Sequence, residues 1–326
     1  MVLLSIIKMY NLSPLHIGTG RDNYDSSSLE LHSDTLSSAL AAVGVATGMP
    51  LNVEEFLTSF SMSSAFPFYK DIYFLPKPQG LLNVVVEDAE ESECRKKLKK
   101  VKYIEQNLWK QLLTGGKPCI SKSQIQGSFI VPRNKHLEPL FKSQVMQRVT
   151  VPRDGSKDAE PFYFEWNYFN KDAGLYCLTD AKGDVLELMS RLFAQLGENG
   201  IGTDKNVGGG KFDVEIAKEP FSFDEPQDAR RRMSLSLFIP TEEELNRLLD
   251  GSPRYSLLLR GGYMAGSSLE EFRHLRKKMV YAFGEGSVFE TTKSLVGKVV
   301  NLRPDWNDKN VHPVYRSGRA VTLKIR

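Results

Sequence analysis

The densest chemistry-bearing stretch is a glycine cluster, GENGIGTDKNVGGGKFDVEIA, with six glycines between positions 197 and 210. A nucleotide-cradling P-loop needs GxxxxGK[ST] between a strand and a helix. Here the pattern runs from a helix into a strand, Phe212 follows Lys211, and the dinucleotide spacing GxGxxG fails as well. What the residues suit is simpler. Successive glycines adopt positive φ and present amide N–H groups in a concavity that binds anions. Lys205 and Lys211 would add charge beside Gly208, Gly209 and Gly210, and RNA phosphates fit such a site. A tightly turned linker is the competing reading.

Two further segments carry similar chemistry. In LHSDTLSSAL (31–40), Ser33 or Asp34 caps a helix; alternatively its free amides, with His32, Ser33 and Thr35, hold phosphate. Around 146–165, extended runs flank a polar turn with Asp154-Gly155, which predicts a protruding hairpin. Arg148 and Arg153 would contact an RNA backbone there, and Phe162 and Tyr163 could stack on bases; a plain surface hairpin is the alternative. The histidines (16, 32, 136, 274 and 312) show no i, i+4 metal spacing, and no GxSxG elbow supports a serine triad. A ribonuclease using His16 or His32 as general base stays open. Cys94, Cys119 and Cys177 form neither a CxxC pair nor a disulfide framework. No metal and no cofactor is expected.

The elements that must position these residues follow from periodicity. Residues 3–12 read as a buried strand, and a helix follows with Leu36, Ala39, Leu40 and Val43 on one face. A short strand is expected over 67–78. A continuous basic helix is expected over 94–113, with Leu98, Val101, Ile104, Leu108 and Leu112 aligned; it is a solvated face or a partner contact. Asp184 with Glu187 predicts a capping box opening a helix that Gly197 stops. Phe212, Val214 and Ile216 alternate as a strand. After a polar linker come a strand at 233–239, a helix at 241–250 capped by Thr241 and Glu244, and extended segments near 254–263, 278–283, 296–302 and 313–325. This order suits two β-α-β-β-α-β units, the second without a clear last helix.

The bulk numbers agree. The 326 residues suffice for two domains, 41% hydrophobic and 25% charged residues describe a globular protein, and a net charge of +3 confines any RNA site to a local patch. Lys8 interrupts the apolar start and no run approaches a membrane span, so a cytoplasmic location is expected.

Several segments together resemble one family. These are LHIGTGR (15–21), HSDTLSSAL (32–40), AFPFYKDIYFLPKP (65–78), GIGTDKNVGGGKF (200–212), FGEGSVF (283–289), GKVVNLRP (297–304) and HPVYRSGRA (312–320). In joint order they resemble the Cas-five-like RAMP subunit, the fourth Csm subunit, of type III-A CRISPR effector complexes. The resemblance implies two ferredoxin-like (RRM-like) domains, binding of the CRISPR RNA 5′ handle, and docking on the large polymerase-like Cas ten subunit and a backbone RAMP subunit. It implies no nuclease centre.

The expectation is therefore an α+β chain of two ferredoxin-like domains, 1–217 and 218–326, the second degenerate, with a glycine-rich loop and an inserted β-hairpin. It would be a non-catalytic RNA-binding subunit, with no membrane partner. His32, Ser33, Thr35, Arg148, Arg153, Lys205, Gly208, Gly209, Gly210 and Lys211 would contact RNA. The rival readings are an endoribonuclease processing precursor RNA and an architectural protein contacting only protein.

Overall fold

The computed structural model describes residues 1–18, 24–87, 91–152, 158–249, 251–264, 266–267, 269–307 and 309–326. The chain is a mixed α+β protein. Its N-terminal elements are β1 (Val2–Tyr10), α1 (Ser33–Ala46), β2 (Phe66–Tyr69), β3 (Ile72–Pro76), α2 (Glu91–Lys100), β4 (Tyr103–Glu105) and α3 (Gln106–Leu113). They are followed by β5 (Phe141–Thr150), β6 (Glu160–Phe169), β7 (Ala173–Thr179), α4 (Gly183–Asn199) and β8 (Asp213–Ile216).

The principal sheet runs in the order β8-β1-β7-β2-β3-β4, extended by short strands at 129–130 and 125–126. The strands from β8 to β4 pair antiparallel throughout. Strand period explains the nearly unbroken apolar runs of β1 and β7, because both faces are covered. Ile7 and Met9 of β1, with Leu175 and Cys177 of β7, join α1 and α4 in one core. Leu4 and Ile6, with Tyr176 and Leu178, join a second core on the opposite face.

That second core crosses the expected boundary at residue 217. It includes Trp109 and Leu113 of α3, then Phe221, Met233, Leu235, Val288, Val321, Leu323 and Ile325 from the C-terminal half. The contributing strands are β9 (Phe221–Phe223), which pairs with β1, then β10 (Arg231–Ser234), β13 (Val288–Glu290) and β16 (Thr322–Ile325). β10 lies between β13 and β16. The remaining elements are α5 (Glu242–Leu249), the ribbon β11 (Leu257–Arg260) with β12 (Val280–Phe283), and β14 (Val299–Asn301) with β15 (Tyr315–Ser317).

Local expectations met mixed outcomes. The Thr241–Glu244 capping box forms: the Glu244 amide donates to Thr241 Oγ1 at 3.2 Å, and the Thr241 amide donates to Glu244 Oε2 at 2.9 Å. The continuous helix over 94–113 does not. It breaks into α2, β4 and α3, because β4 is taken into the sheet beside β3 and Glu105 caps α3 through the amides of Asn107 and Leu108. Apolar spacing is similar across the break, so periodicity alone joined two helices. Asp184 lies within the first turn of α4, not at its cap, and Gly197 lies inside the helix, which ends at Gly200 with φ +80°. Gly197 is needed for packing, since a Cβ there would sit 2.2 Å from the Phe212 carbonyl oxygen.

Candidate nucleic-acid interface

The predicted hairpin exists. β5 and β6 pair from Phe141 opposite Phe169 to Thr150 opposite Glu160. This register puts Arg148 across from Phe162 and on the face that also carries Phe164 and Trp166. Phe164 and Trp166 are buried, with ring centroids 4.8 Å apart. The Arg148 guanidinium lies over both rings, at 4.7 and 5.6 Å, and its Nη1 donates to Asp204 of the glycine loop. Arg148, expected as an RNA contact, therefore also brackets hairpin to loop. Arg153 lies outside the described residues. Phe162 is half-buried, its ring 6.0 Å from Tyr24. On the other face Tyr163 is 59% exposed beside exposed Val145 and Val149, which makes it the most exposed of the described hairpin aromatics.

The glycine loop is compact. The Gly208 amide donates to the Lys205 carbonyl, Gly209 to Asp204 and Gly210 to Pro14, while the Lys211 amide donates to Ser13 Oγ. The expectation of an open nest of glycine amides is thereby corrected at these positions, because their N–H groups are used within the fold. The glycines answer a packing demand instead. A Cβ on Gly209 would meet Trp166 at 2.5 Å, and one on Gly210 (φ +67°) would meet the Ile201 carbonyl oxygen at 1.8 Å. Gly208 has φ +88° with open space around it. Lys205 and Lys211 are exposed and remain available to an anion.

At the start of α1 the predicted ligands are engaged by Ser64 and by residues of the C-terminal half. The Ser33 amide donates to Ser64 Oγ, and Ser33 Oγ accepts from the Leu237 amide at 3.0 Å. His32 Nδ1 bonds Glu285 Oε1 at 2.8 Å. Thr35 Oγ1 accepts from Arg260 Nη2 at 3.0 Å. Asp34, 1% exposed, accepts from Arg260 Nε at 2.8 Å and Nη2 at 3.1 Å, and from Arg316 Nη1. Burial alone would raise the Asp34 pKa, but Arg316 and then Arg260 outweigh it and hold the carboxyl below its usual range. Burial likewise opposes the charged forms of His32 and Glu285, yet each stabilises the other: the histidine pKa is raised and the glutamate's lowered. His32, Ser33 and Thr35, expected as phosphate ligands, thus take part in a polar clamp between the two halves.

His16 is also enclosed. It is 1% exposed, its ring lies 4.5 Å from Phe164, and Nδ1 bonds the Glu165 carbonyl at 2.8 Å. Of the two histidines considered as general bases, His16 is enclosed, whereas His32 is bonded to Glu285 at the edge of a cavity. Among the described residues no group of three or more His, Cys, Asp or Glu could hold a metal ion, and no helix is long and apolar enough to cross a membrane.

Two adjoining cavities, of about 410 and 310 Å³, connect hairpin base and clamp. Phe141 and Phe169 line the first, His32, Leu258 and Glu285 line the second, and Glu30, Lys102 and Tyr103 line both. Sequence reasoning missed Asp204, Trp166, Arg260, Arg316 and Glu285 as partners. Arg316 and Glu285 stood in the segments that carried the resemblance, but nothing in their spacing linked them to α1.

Comparison with known proteins places this geometry. Residues 227–325 match the family model described as the CRISPR Csm4 C-terminal domain. Over 309 residues the chain is 27% identical to the CRISPR system Cms protein Csm4 of Mycobacterium tuberculosis (strain CDC 1551 / Oshkosh), covering 94% of this chain and 93% of that protein. It is 24% identical over 305 residues to the Streptococcus thermophilus protein of the same name, covering 89% of each. Its fold is similar to a chain in the crystal structure of a Csm3-Csm4 subcomplex of the type III-A CRISPR-Cas interference complex, with TM-score 0.63, 19% identity and 99% of both chains covered. It is also similar to a chain in a crystal structure of a Csm1-Csm4 cassette in complex with cA4, with TM-score 0.62, 20% identity and coverage of 100% and 98%. The similarity to Csm4 proteins therefore runs along nearly the whole chain, and the family match lies in its C-terminal part.

Proposed function

We propose that the chain is a non-catalytic subunit of a type III-A CRISPR interference complex that anchors the 5′ handle of the guide RNA. In this reading it works in the cytoplasm and docks on the large polymerase-like Cas ten subunit and on a backbone RAMP subunit. The similarity to Csm4 proteins and to chains solved with Csm1 and with Csm3 supports it.

The observation that carries the RNA reading is the joined hairpin and glycine loop. Arg148 ties them together, and the unit presents Tyr163, Lys205 and Lys211 outward. An aromatic platform beside exposed cations is what sequence-tolerant single-strand binding uses. The non-catalytic reading is supported by the enclosure of His16 and by the bond that holds His32 to Glu285.

The division into two ferredoxin-like units, 1–217 and 218–326, belongs to the same proposal. The antiparallel order β8-β1-β7-β2, with α1 and α4 in one core, supports the first unit. The sheet β13-β10-β16 and the family match at 227–325 support the second.

The test is to purify the tagged chain with its assembled complex, sequence the RNA retained, and incubate the isolated chain with precursor RNA. Retention of RNA sharing one repeat-derived 5′ end, without cleavage, is expected. Cleavage lost in His16→Ala or His32→Ala would replace this reading by the endoribonuclease.

A further inference from the structure

We propose that the open edge of β11 is a strand-addition site, at which an extended, acid-flanked apolar segment of a neighbouring protein subunit pairs with the main chain of Leu257 and Leu259. The proposal rests on the reading above of the chain as one subunit of a larger complex, and it names a surface for that assembly.

The edge follows from the hydrogen bonds. In an antiparallel pair, facing residues alternate between those that exchange main-chain bonds and those whose N–H and C=O point outward. Phe283 of β12 spends both groups on Phe238, its amide at 2.8 Å and its carbonyl at 2.9 Å. Leu257 faces Phe283 in the register, so it points outward from β11, and so does Leu259 two positions on. The Gly284 amide fixes the same phase, since it donates to the Ser256 carbonyl. Among the described residues, no main-chain hydrogen bond from outside the ribbon reaches Leu257 or Leu259, and the ribbon is a two-stranded sheet.

The side chains complete the site. Leu258, Val280 and Ala282 turn inward onto Leu237, Ile239 and Val300. Leu257, Leu259, Met279 and Tyr281 share the other face. All four are exposed, Met279 at 70% and Tyr281 at 62%. A ribbon with one covered face ordinarily carries polar residues on the other, and natural sheets blunt an open edge with lysine, proline or a bulge. Here the edge residues are leucines.

Charge and chemistry select the occupant. The stretches 254–263 and 276–283 hold Arg254, Arg260, Arg276, Lys277 and Lys278 and no acidic residue. Arg260 is bonded to Asp34 and Lys278 to Asp305; the remaining positive charge favours acidic groups at the ends of the incoming segment. RNA would also be drawn by that charge. Its backbone, however, lacks N–H and C=O groups at strand spacing, and phosphates would leave the apolar face uncovered. An added strand satisfies both: main-chain bonds supply affinity, and alternate side chains pack beside Leu257 and Leu259.

The experiment compares hydrogen exchange in the isolated full chain and in the assembled complex. The Leu257 and Leu259 amides should exchange freely in the first and be slowed roughly tenfold or more in the second. Those of Leu258 and Arg260, bonded within the ribbon, should be protected in both. Leu259→Pro removes one outward amide and spares the bonds to β12, a change that edge strands tolerate. In reconstitution from purified subunits, the concentration of chain giving half-maximal incorporation should rise roughly tenfold or more. Leu257→Lys keeps the backbone and blunts the edge, so it should act in the same direction without lowering the melting temperature of the isolated chain. Unchanged incorporation of both variants, or unprotected Leu257 and Leu259 in an assembled complex, overturns the site and leaves the chain a subunit held by other surfaces. Protection that disappears when nuclease removes the RNA assigns the edge to RNA, and protection that grows with the concentration of the isolated chain assigns it to a second copy; either also overturns the proposal. If the chain joins no complex at all, the functional reading falls with this one.

Discussion

Arg148 of the hairpin donates to the carboxylate of Asp204 in the glycine loop while lying over the rings of Phe164 and Trp166. Two segments 56 residues apart in sequence are held as one surface. The pair is about one-third exposed on either side, so solvent screening limits its Coulomb energy. The stacking adds roughly 0.5–2 kcal/mol. We expect Arg148→Ala and Asp204→Ala to be coupled by about 1 kcal/mol in a double-mutant cycle of denaturant unfolding. Strictly additive effects would mean that the two segments do not support one another.

The loop glycines should differ sharply under substitution. Gly208→Ala meets open space and only the left-handed backbone opposes it, a cost of about 1–2 kcal/mol. Gly210→Ala adds a backbone clash with Ile201, so its loss should reach the upper end of the roughly 1–3 kcal/mol range for overpacking, or exceed it. Thermal unfolding of the two variants checks the order. Equal melting temperatures would show that the loop deforms freely and that the glycines are not there for packing.

These positions also show where sequence reading succeeds and where it stops. The glycine cluster, the hairpin and the helix at 33–46 were legible because turn residues and apolar periods are local signals. The purpose of the glycines was not, since it depends on Trp166, Ile201 and Pro14 arriving from elsewhere. The same holds for α1. Ser33 and Asp34 look like caps with amides to spare, and only the fold shows Ser64, Leu237, Arg260 and Arg316 meeting them. At 94–113 the helical period was real, but sheet pairing of Tyr103–Glu105 overrode it.

The clamp between the halves should be visible in pH dependence. His32 has a raised folded pKa, so its stabilisation is complete below its ordinary value of about 6.5 and is lost as pH rises through the folded value. Glu285 has a lowered pKa, so its contribution is present above about 4.3 and is lost as pH falls. Stability should therefore be greatest between these limits. In His32→Gln the decline on the alkaline side should disappear, which unfolding midpoints measured from pH 5 to 9 would record. A variant that declines as the wild type does would place the titrating group elsewhere.

Removing the Asp34 charge tests the centre of the same clamp. Asp34→Asn keeps the shape but leaves Arg260 and Arg316 facing each other without their carboxylate. Breaking a buried ion pair on one side costs about 3–5 kcal/mol. The expected outcome is a large drop in unfolding free energy and increased proteolysis of the chain between its two halves. A loss below about 1 kcal/mol would mean that solvent already reaches the arginines.

The hairpin's outer face offers the cleanest separation of stacking from charge. Tyr163 is exposed on the side away from Trp166, with Val145 and Val149 beside it, so truncation should leave the core intact. If a base stacks there, Tyr163→Ala in the assembled complex should weaken RNA retention by about 1–3 kcal/mol. Its salt dependence should be unchanged, because no phosphate contact is lost. Lys211→Ala should do the reverse in kind: a smaller loss of affinity at high salt, with a shallower slope. Tyr163→Phe separates ring from hydroxyl and should behave as the wild type if stacking is the contact. Binding of Tyr163→Ala that matches the wild type at every salt concentration would turn this face toward protein or solvent. The RNA path would then run over Lys205, Lys211 and the groove behind the hairpin.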